Sequence, residues 1–596
     1  MAADVPNLQI PPLLDDPDAD GHGVSKRRRR ALVIIWALTH LNELARVVRL
    51  LEQDSHWQAV VMFGIEESAT DDVKVNWTRA GIPWFVFHTV PATGQSGPRA
   101  APWIWFETAL TWLVLALFGM LCLVGSLLLF LPTACIQLLY PTPMKARTRK
   151  LRQYLSGRVP RRLESFCVAL VYPSWELAGR MLKNCPHTSV LAIAGWVFLR
   201  LIHKVLLLDW LLDYRRQLRA LGATVERARG IWAELKPDLI ILAEDNVSYP
   251  TGVFIKVARE SGAASVVIPY TLASTKEFVE GFRNPACDAR RLCNWLVARS
   301  YPHWCRFEQG RGLLRLPGRH VLAMEKLGIA PEHPWIPNDG RWDAFAVESP
   351  RMLERYVQEF GMQPERLALT GAMSDDTLFA ARRQAGKLKE QLYRELALPP
   401  GRPLVLLAFP PDQFPSRGTN LEFADYEEMA CFLIESCHSL AGYNFVVTLH
   451  PRISDKARRH IESLGAKVCK RDTLELVPLC DVYVASVSAT IRWAIACGIP
   501  VINYDIFHYH YDDYDSAAGV VTIQTKSEWL GLLGELNQRP AWIAEWSARQ
   551  ETCAARWGMV DGKSGRRLLE LFDNLTKQGR PTTRAAIPAS PSRSAA

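Results

Sequence analysis

Short apolar runs alternate with amphipathic segments along most of the chain, the pattern of parallel strands joined by helices that cover both faces of a sheet. In the first half, Ala31 to Leu38, Gln58 to Phe63 and Pro83 to His88 read as strands, with a helix from Glu43 to Gln53 between the first two. After a long interruption the alternation resumes: helix Val225 to Leu235, strand Asp238 to Ala243, helix Tyr249 to Glu260, strand Ala264 to Ile268. A helical stretch from Arg382 to Leu396 leads into a second alternating series. There the strands are Pro403 to Phe409, Asn444 to Leu449, Ala466 to Cys469, Val482 to Ala485 and Pro500 to Tyr504. The intervening helices are Asp425 to Ala441, Asp455 to Leu464, Leu474 to Leu479 and Ala489 to Cys497. The expected class is therefore α/β, with two Rossmann-like domains, the first of them interrupted.

The interruption is apolar. From Trp103 to Tyr140 the only charged residue is Glu107, and the stretch exceeds the ~18 residues that a spanning helix needs. A single crossing would put the two halves of one sheet on opposite sides of a bilayer, so a hairpin or a helix pair within one leaflet is expected. Both flanks are basic: Arg99 before, and Lys145, Arg147, Arg149, Lys150 and Arg152 after. That suits an insertion with both ends on the cytoplasmic side. Leu191 to Tyr214 is a second Trp- and Leu-rich stretch, made amphipathic by Arg200, His203, Lys204 and Asp209. The expected organisation is a basic tail (1–30), a first domain (31–100 and 215–380), a helical membrane-associated insertion (101–214), a second domain (381–576) and a polar tail (577–596).

Composition narrows the field little. The 596 residues are 49% hydrophobic and 22% charged, with a formal net charge of +9, enough to build large cores and too mild a surplus to imply nucleic acid. Thirteen cysteines without a C-x-x-C pair exclude a zinc ribbon and suit a reducing compartment.

Ligands of open parallel sheets sit beyond the carboxyl ends of the strands. Three such loops in the second domain are polar: His450-Pro451-Arg452, Ser486-Val487-Ser488-Ala489-Thr490 opening a helix, and Asp505 with His508, His510 and Tyr511. Hydroxyls and backbone N–H groups at a helix start accept phosphate, so a diphosphate site is expected there. No P-loop pattern occurs, which argues against ATP hydrolysis. Asp513-Tyr-Asp515 has the spacing of an aspartate-x-aspartate metal motif, but in this αβ setting no catalytic metal and no cofactor are expected.

Val447-Thr-Leu-His-Pro-Arg452, Cys480-Asp-Val-Tyr-Val-Ala-Ser-Val-Ser-Ala-Thr490, Gly498-Ile-Pro500, Asn503-Tyr-Asp505 and Thr370-Gly371-Ala-Met-Ser-Asp375 together resemble the GT-B glycosyltransferase superfamily. The groups echoed are capsule-polysaccharide transferases, CDP-glycerol glycerophosphotransferases and UDP-N-acetylglucosamine 2-epimerases. The likeness spans roughly 225–525. Two departures stand out: Gly498-Ile-Pro500 continues as Val501-Ile-Asn503 instead of the epimerases' glycine-threonine-arginine-proline tract, and Val484 to Ser488 replaces the aspartate-tyrosine-serine-serine run of the glycerophosphotransferases.

The resemblance implies two domains facing across a cleft. It carries His450, Arg452, Ser486, Ser488 and Thr490 over as donor-phosphate ligands, with Gly371 and Asp505 as further donor-binding positions. Glycosyl transfer also needs a base for the acceptor hydroxyl, and the first-domain loops offer His40, Glu244 and Asp245. The implied function is transfer of a sugar from a UDP- or CMP-linked donor to a lipid-linked or surface-polysaccharide acceptor, at the cytoplasmic leaflet of the inner membrane. A glycerophosphotransferase, an epimerase and a non-catalytic scaffold of a polysaccharide export complex are the alternatives.

Overall fold

The computed structural model describes residues 27–65, 70–89, 208–270, 285–308, 310–417, 421–450, 452–539 and 541–577. The chain divides into two compact units, Met1–Asn7 with Pro91–Ala220, and Leu8–Val90 with Leu221–Ala596. Of the first unit only 208–220 is described, the opening half of the helix Leu208–Leu235. The apolar stretch 103–140 and both tails (1–26 and 578–596) lie outside the described residues, and among the described ones no helix is long and apolar enough to cross a membrane.

The second unit contains two parallel sheets. The strands of the first are β1 (Arg29–Ile35), β2 (Trp57–Phe63), β3 (Trp84–Val86), β4 (Leu239–Leu242), β5 (Ala264–Val267), β8 (Ala344–Val347) and β9 (Leu367–Leu369), in the order β3-β2-β1-β4-β5-β8-β9. Between β5 and β8 an antiparallel hairpin, β6 (Cys305–Glu308) and β7 (Arg311–Leu314), stands apart. The second sheet contains β10 (Leu404–Phe409), β11 (Asn444–Leu449), β12 (Val482–Ala485), β13 (Val501–Tyr504) and β14 (Val520–Ile523), in the order β11-β10-β12-β13-β14. The expected strand at 466–469 is reduced to one parallel bridge, Val447 with Val468. Each sheet winds outward in both directions from its first strand, so each has a switch point: between β1 and β4 in the first, between β10 and β12 in the second.

The strands are apolar on both faces because helices cover both. Along β10, Val405, Leu407 and Phe409 enter one core, while Leu404 and Leu406 enter the other. Around β1 and β2 the core draws in Leu44, Val47 and Val48 of the helix Leu38–Gln53. It also draws in Leu568 and Phe572 of the last helix, Ser564–Lys577. That helix falls in the stretch grouped by the sequence with the second domain, yet it packs on the first sheet: Phe572 meets the Trp57 ring edge-on, and Asp573 accepts from the Trp57 indole and from Arg29. Its first two N–H groups, on Ser564 and Gly565, donate to the Asp376 carboxylate at 2.9 Å each, a charged cap at a helix start.

Candidate active site

At the first switch point the chain leaves β1 through Trp36 and enters the helix Leu38–Gln53, which carries His40 in its first turn. The chain leaves β4 through Ala243 into Glu244 and Asp245. Because β1 and β4 are paired neighbours, the two exits lie side by side, and His40 Nε2 reaches Glu244 Oε1 at 3.0 Å. His40 Nδ1 accepts the Trp36 backbone N–H at 3.3 Å, leaving Nε2 as the donor toward the carboxylate. The imidazole is fully buried and walled by Tyr249 and Tyr270. Both ring nitrogens are thus committed, and of the two residues Glu244 is the one with acceptor capacity to spare, its Oε2 meeting only the Asn246 side-chain amide at 3.5 Å. Trp36 lies across this exit stacked on Tyr249. It fits because residue 64, at the end of β2, is glycine: a Cβ there would fall 1.9 Å from the indole.

Asp245 is turned inward. It accepts from Thr251 Oγ1 at 2.8 Å, its N–H donates to Asn338, and Gly340 packs against its carboxylate with no room for a Cβ. Burial pushes its pKa up to about 6, opposed by the Thr251 hydroxyl and reinforced by Asp339. Its contacts are those of a residue that fixes the loop, helped by Thr251 at the start of the helix Thr251–Glu260.

At the second switch point, β10 stands between β11 and β12, which sets the loops opening at His450 and Ser486 about 10 Å apart, two strand spacings. His450 Nδ1 accepts the Arg452 backbone N–H at 3.1 Å, so Nε2 is the outward donor. Burial, with the Arg452 charge beside it, lowers the His450 pKa to about 4. Arg452 itself is exposed. In the other loop Val487 adopts φ 42° and its N–H donates to Asn503 Oδ1 at 2.9 Å. A valine in the left-handed region is held there by its surroundings, and such strain clusters at binding loops. Ser488 and Thr490 hydroxyls bond each other at 2.8 Å, Thr490 also meets the Tyr483 hydroxyl, and Tyr514 donates to the Ser488 carbonyl. The Ser486 hydroxyl is buried with no partner among the described residues. The following helix is only Ile491–Ala496, shorter than the expected Ala489 to Cys497, so hydroxyls and loop N–H groups contribute more here than a helix dipole.

Gly371 and Asp505 sit otherwise. Gly371, at φ 79°, turns the chain beneath Ser564 and Met559, where a Cβ would lie 2.4 Å from the Ser564 hydroxyl. Asp505 is buried and its two oxygens accept the N–H groups of Tyr509 and His510 at 2.9 and 2.7 Å. These geometries make Gly371 a tight turn that only glycine fits and Asp505 the organiser of its own loop. Asp513 of the aspartate-x-aspartate triplet is bound by Arg355 at 2.6 Å.

What joins the two poles is a buried ionic cluster that sequence reading did not single out. Arg492, two residues beyond Thr490, bonds Asp375 at 2.8 Å, Glu348 at 3.2 Å and Ser374 Oγ at 3.2 Å. The Ser374 N–H donates to Glu43, one turn beyond His40. Glu348 follows β8 directly and Glu43 lies in the helix following β1, so loops at the carboxyl ends of both sheets converge on one guanidinium. Burial pushes the Glu348 pKa up to about 7 against the pull of Arg492, with Asp375 and Glu43 adding to the rise. Burial likewise raises Glu43. For Arg492, burial is outweighed by Asp375 and Glu348 and the net shift is upward. Asp375 of the Thr-Gly-x-x-x-Asp stretch was visible in the sequence as a motif. Arg492 was not, since a lone arginine inside an apolar helix carries no spacing signal.

Among the described residues no group of His, Cys, Asp and Glu is arranged to hold a metal ion. No family model and no curated protein matches the chain. Solved structures similar to it include UDP-GlcNAc 2-epimerase from Neisseria meningitidis bound to UDP-GlcNAc, with 8% identity and a TM-score of 0.44 over 91% of this chain and 100% of that one. The S. aureus MnaA-UDP co-structure is similar at 9% identity and a TM-score of 0.41, over 92% and 97%. The wall teichoic acid polymerase TagF matches at 18% identity and a TM-score of 0.31, over 40% of this chain, which spans 59% of that protein.

Proposed function

We propose that the chain is a GT-B type glycosyltransferase that takes a nucleotide-activated sugar and passes it to an acceptor hydroxyl held at a bilayer. The observation that supports this best is the convergence of both sheets' carboxyl ends on Arg492, which ties the helix carrying His40, through Glu43, and the chain just beyond the 486–490 hydroxyl loop to one shared cluster. The first pole suits an acceptor. Glu244, oriented by His40, takes the acceptor proton as the oxygen attacks the anomeric carbon, the arrangement that inverting transfer needs.

The second pole suits the donor. As the bond from the anomeric carbon to the phosphate oxygen breaks, the electron pair leaves with the nucleotide. His450 Nε2–H, Arg452, and the Ser486, Ser488 and Thr490 hydroxyls are the groups that would stabilise that charge. Thr490 and Ser488 already bond each other, so a phosphate would be met by a preorganised pair. The apolar stretch 103–140 gives a reason for a lipid-linked acceptor, because an enzyme docked at the bilayer meets such a substrate at raised effective concentration. The corresponding location is the cytoplasmic face of the inner membrane.

The test is a thermal-shift panel of UDP, CMP and CDP, followed by nucleotide release from the matching activated donors with and without lipid extract. A nucleotide that raises the midpoint, together with release that depends on acceptor lipid, supports the reading. Turnover of free nucleotide sugar without acceptor would assign an epimerase instead, and turnover confined to CDP-glycerol an alditol-phosphate transferase. No midpoint shift with any nucleotide sinks the enzyme reading in favour of a scaffold.

A further inference from the structure

Within the segment between β5 and β8, Tyr270, Asn338 and Gly340 serve the first pole, but residues 285–327 make none of the hydrogen bonds described at the poles or at the Arg492 cluster. Residues 285–327 form a small substructure of the helix Leu292–Ser300, the hairpin β6–β7 and the helix Gly318–Leu327. Inside, it is firmly built. Trp304 is fully buried with its indole donating to Glu325, Trp335 donates to the Trp304 carbonyl, and Asn294 ties Ala286, Asp288 and Gly318 together.

Outside, it presents bare apolar side chains. Phe307 is 80% exposed, Leu296 49% and Trp295 40%. They stand on two elements of this substructure, Trp295 and Leu296 on the helix Leu292–Ser300 and Phe307 on the hairpin, which residues 288–291 join. Phe307 pairs across the hairpin with Gly312, and its ring and the Ala289 methyl lie 3.3 and 3.1 Å from the point where a Cβ on Gly312 would stand. Ala289 leads into Arg290 and Arg291, and the Arg291 carbonyl accepts the Trp295 N–H.

The segment that carries these side chains is basic. Arg291, Arg299 and Arg311 are exposed, and Arg290, also exposed, is held by Asp288. Residues 285–327 contain eight Lys and Arg against three Asp and Glu, a surplus of five, where the whole chain's surplus is nine. Asp288 is already paired with Arg290, and Glu325 with His303. Exposed aromatic and leucine side chains in a segment rich in exposed guanidinium groups match a bilayer surface: rings enter the headgroup boundary while the cations meet lipid phosphates. A single nucleic-acid strand would call for a groove along which bases stack, not a ring at the end of a hairpin.

We propose that residues 290–311 form a docking surface for anionic phospholipid. The proposal deepens the membrane part of the reading above and rests on it for its purpose, but not for its test. The full chain is floated with vesicles of phosphatidylcholine, with and without phosphatidylglycerol at about a third of the lipid, near the anionic fraction of an inner leaflet. Because 103–140 could hold the chain on either kind of vesicle, the readout is the ratio of anionic to neutral binding. Wild type should favour anionic vesicles. R299E/R311E should lower the ratio by at least about tenfold, given roughly fivefold per arginine near such a surface. F307S should lower binding to anionic vesicles on the order of tenfold, and F307L, which keeps an apolar tip, should restore most of it. An unchanged ratio in R299E/R311E, or wild-type binding to single-stranded RNA in preference to vesicles, would overturn the proposal. The nucleotide-induced midpoint shift serves as an independent control. If it is retained while the vesicle ratio is unchanged in the variants, docking fails alone; if it is absent from wild type while the ratio responds, the donor reading fails alone.

Discussion

His40 donates to Glu244 across the gap between β1 and β4, with Nε2 and Oε1 3.0 Å apart and the opposite ring nitrogen fixed by the Trp36 backbone. The pair comes from residues 204 apart in sequence, brought together only because β4 pairs with β1 after the long interruption. The imidazole is oriented by its own strand exit and in turn orients the carboxylate, so the two residues have unequal tasks.

Glu244→Gln keeps an oxygen for His40 but cannot take a proton. It should lower kcat by about a hundred- to ten-thousandfold, the usual weight of a general base, with the donor KM unchanged. His40→Asn should cost less and displace the acidic limb of the pH–rate profile, because it acts through the position of Glu244. Equal losses in both variants, with no change in the profile, would make the pair purely structural.

His450→Ala should abolish most of the midpoint shift given by the preferred nucleotide, since a hydrogen bond to a phosphate oxygen is worth roughly ten- to a hundredfold in affinity. The sign of the pH effect follows from its lowered pKa. With a value of about 4 in place of 6.5, the folded chain keeps this ring neutral while the unfolded chain protonates it, so its contribution to stability is lost as pH falls from about 6.5 toward 4. In the free protein His450 should therefore show no titration between pH 5 and 8. Histidine NMR titrations across that range, with wild type and variant compared, check it.

The strands were legible where apolar runs were bounded by polar ends: Asn444–Leu449 and Val482–Ala485 have the expected limits. The outer strands β8, β9 and β14 were not, being three or four residues long and lacking distinctive flanks. The helix expected from Glu43 begins at Leu38, where Ala37 offers no side-chain cap to mark the start, and takes His40 into its first turn. Of the site, His450, Ser488, Thr490 and Glu244 were legible as polar residues at strand ends. The inward turn of Asp245 was not, because Asn338 and Gly340, which hold it, lie more than ninety residues away. Trp295 and Trp304 looked alike in sequence; packing buries one and exposes the other.

Arg492→Ala should destabilise the fold by about 3–5 kcal/mol, the typical result of removing one partner from a buried ionic group and leaving its charges uncompensated. Denaturant unfolding gives the value. Arg492→Lys should recover only part of it, because an ammonium cannot reproduce the fork that reaches Asp375 and Glu348 together. A loss under about 1 kcal/mol would show that the carboxylates are solvated and that the two sheets are not held together here.

Glu348→Gln tests the same cluster from its acidic side. Arg492 faces Glu348, Asp375 and, through Ser374, Glu43, which Arg46 also binds at 3.2 Å, so two guanidiniums meet three carboxylates and negative charge is in excess. Glu348 Oε1 is buried with no partner among the described residues. With its pKa at about 7 in the fold against 4.5 ordinarily, Glu348 holds its proton more tightly folded than unfolded. Ionising it therefore costs folded-state stability, and the cost grows as pH rises from about 4.5 to 7. Wild type should lose stability across that window, and the amide, which cannot ionise, should flatten the loss. Urea midpoints at pH 5 and pH 8 decide it: the variant should match wild type at the lower pH and exceed it at the higher. If it is instead weaker at pH 8, the Glu348–Arg492 pair is a net stabiliser there, and Glu348 is ionised in the folded protein at neutral pH.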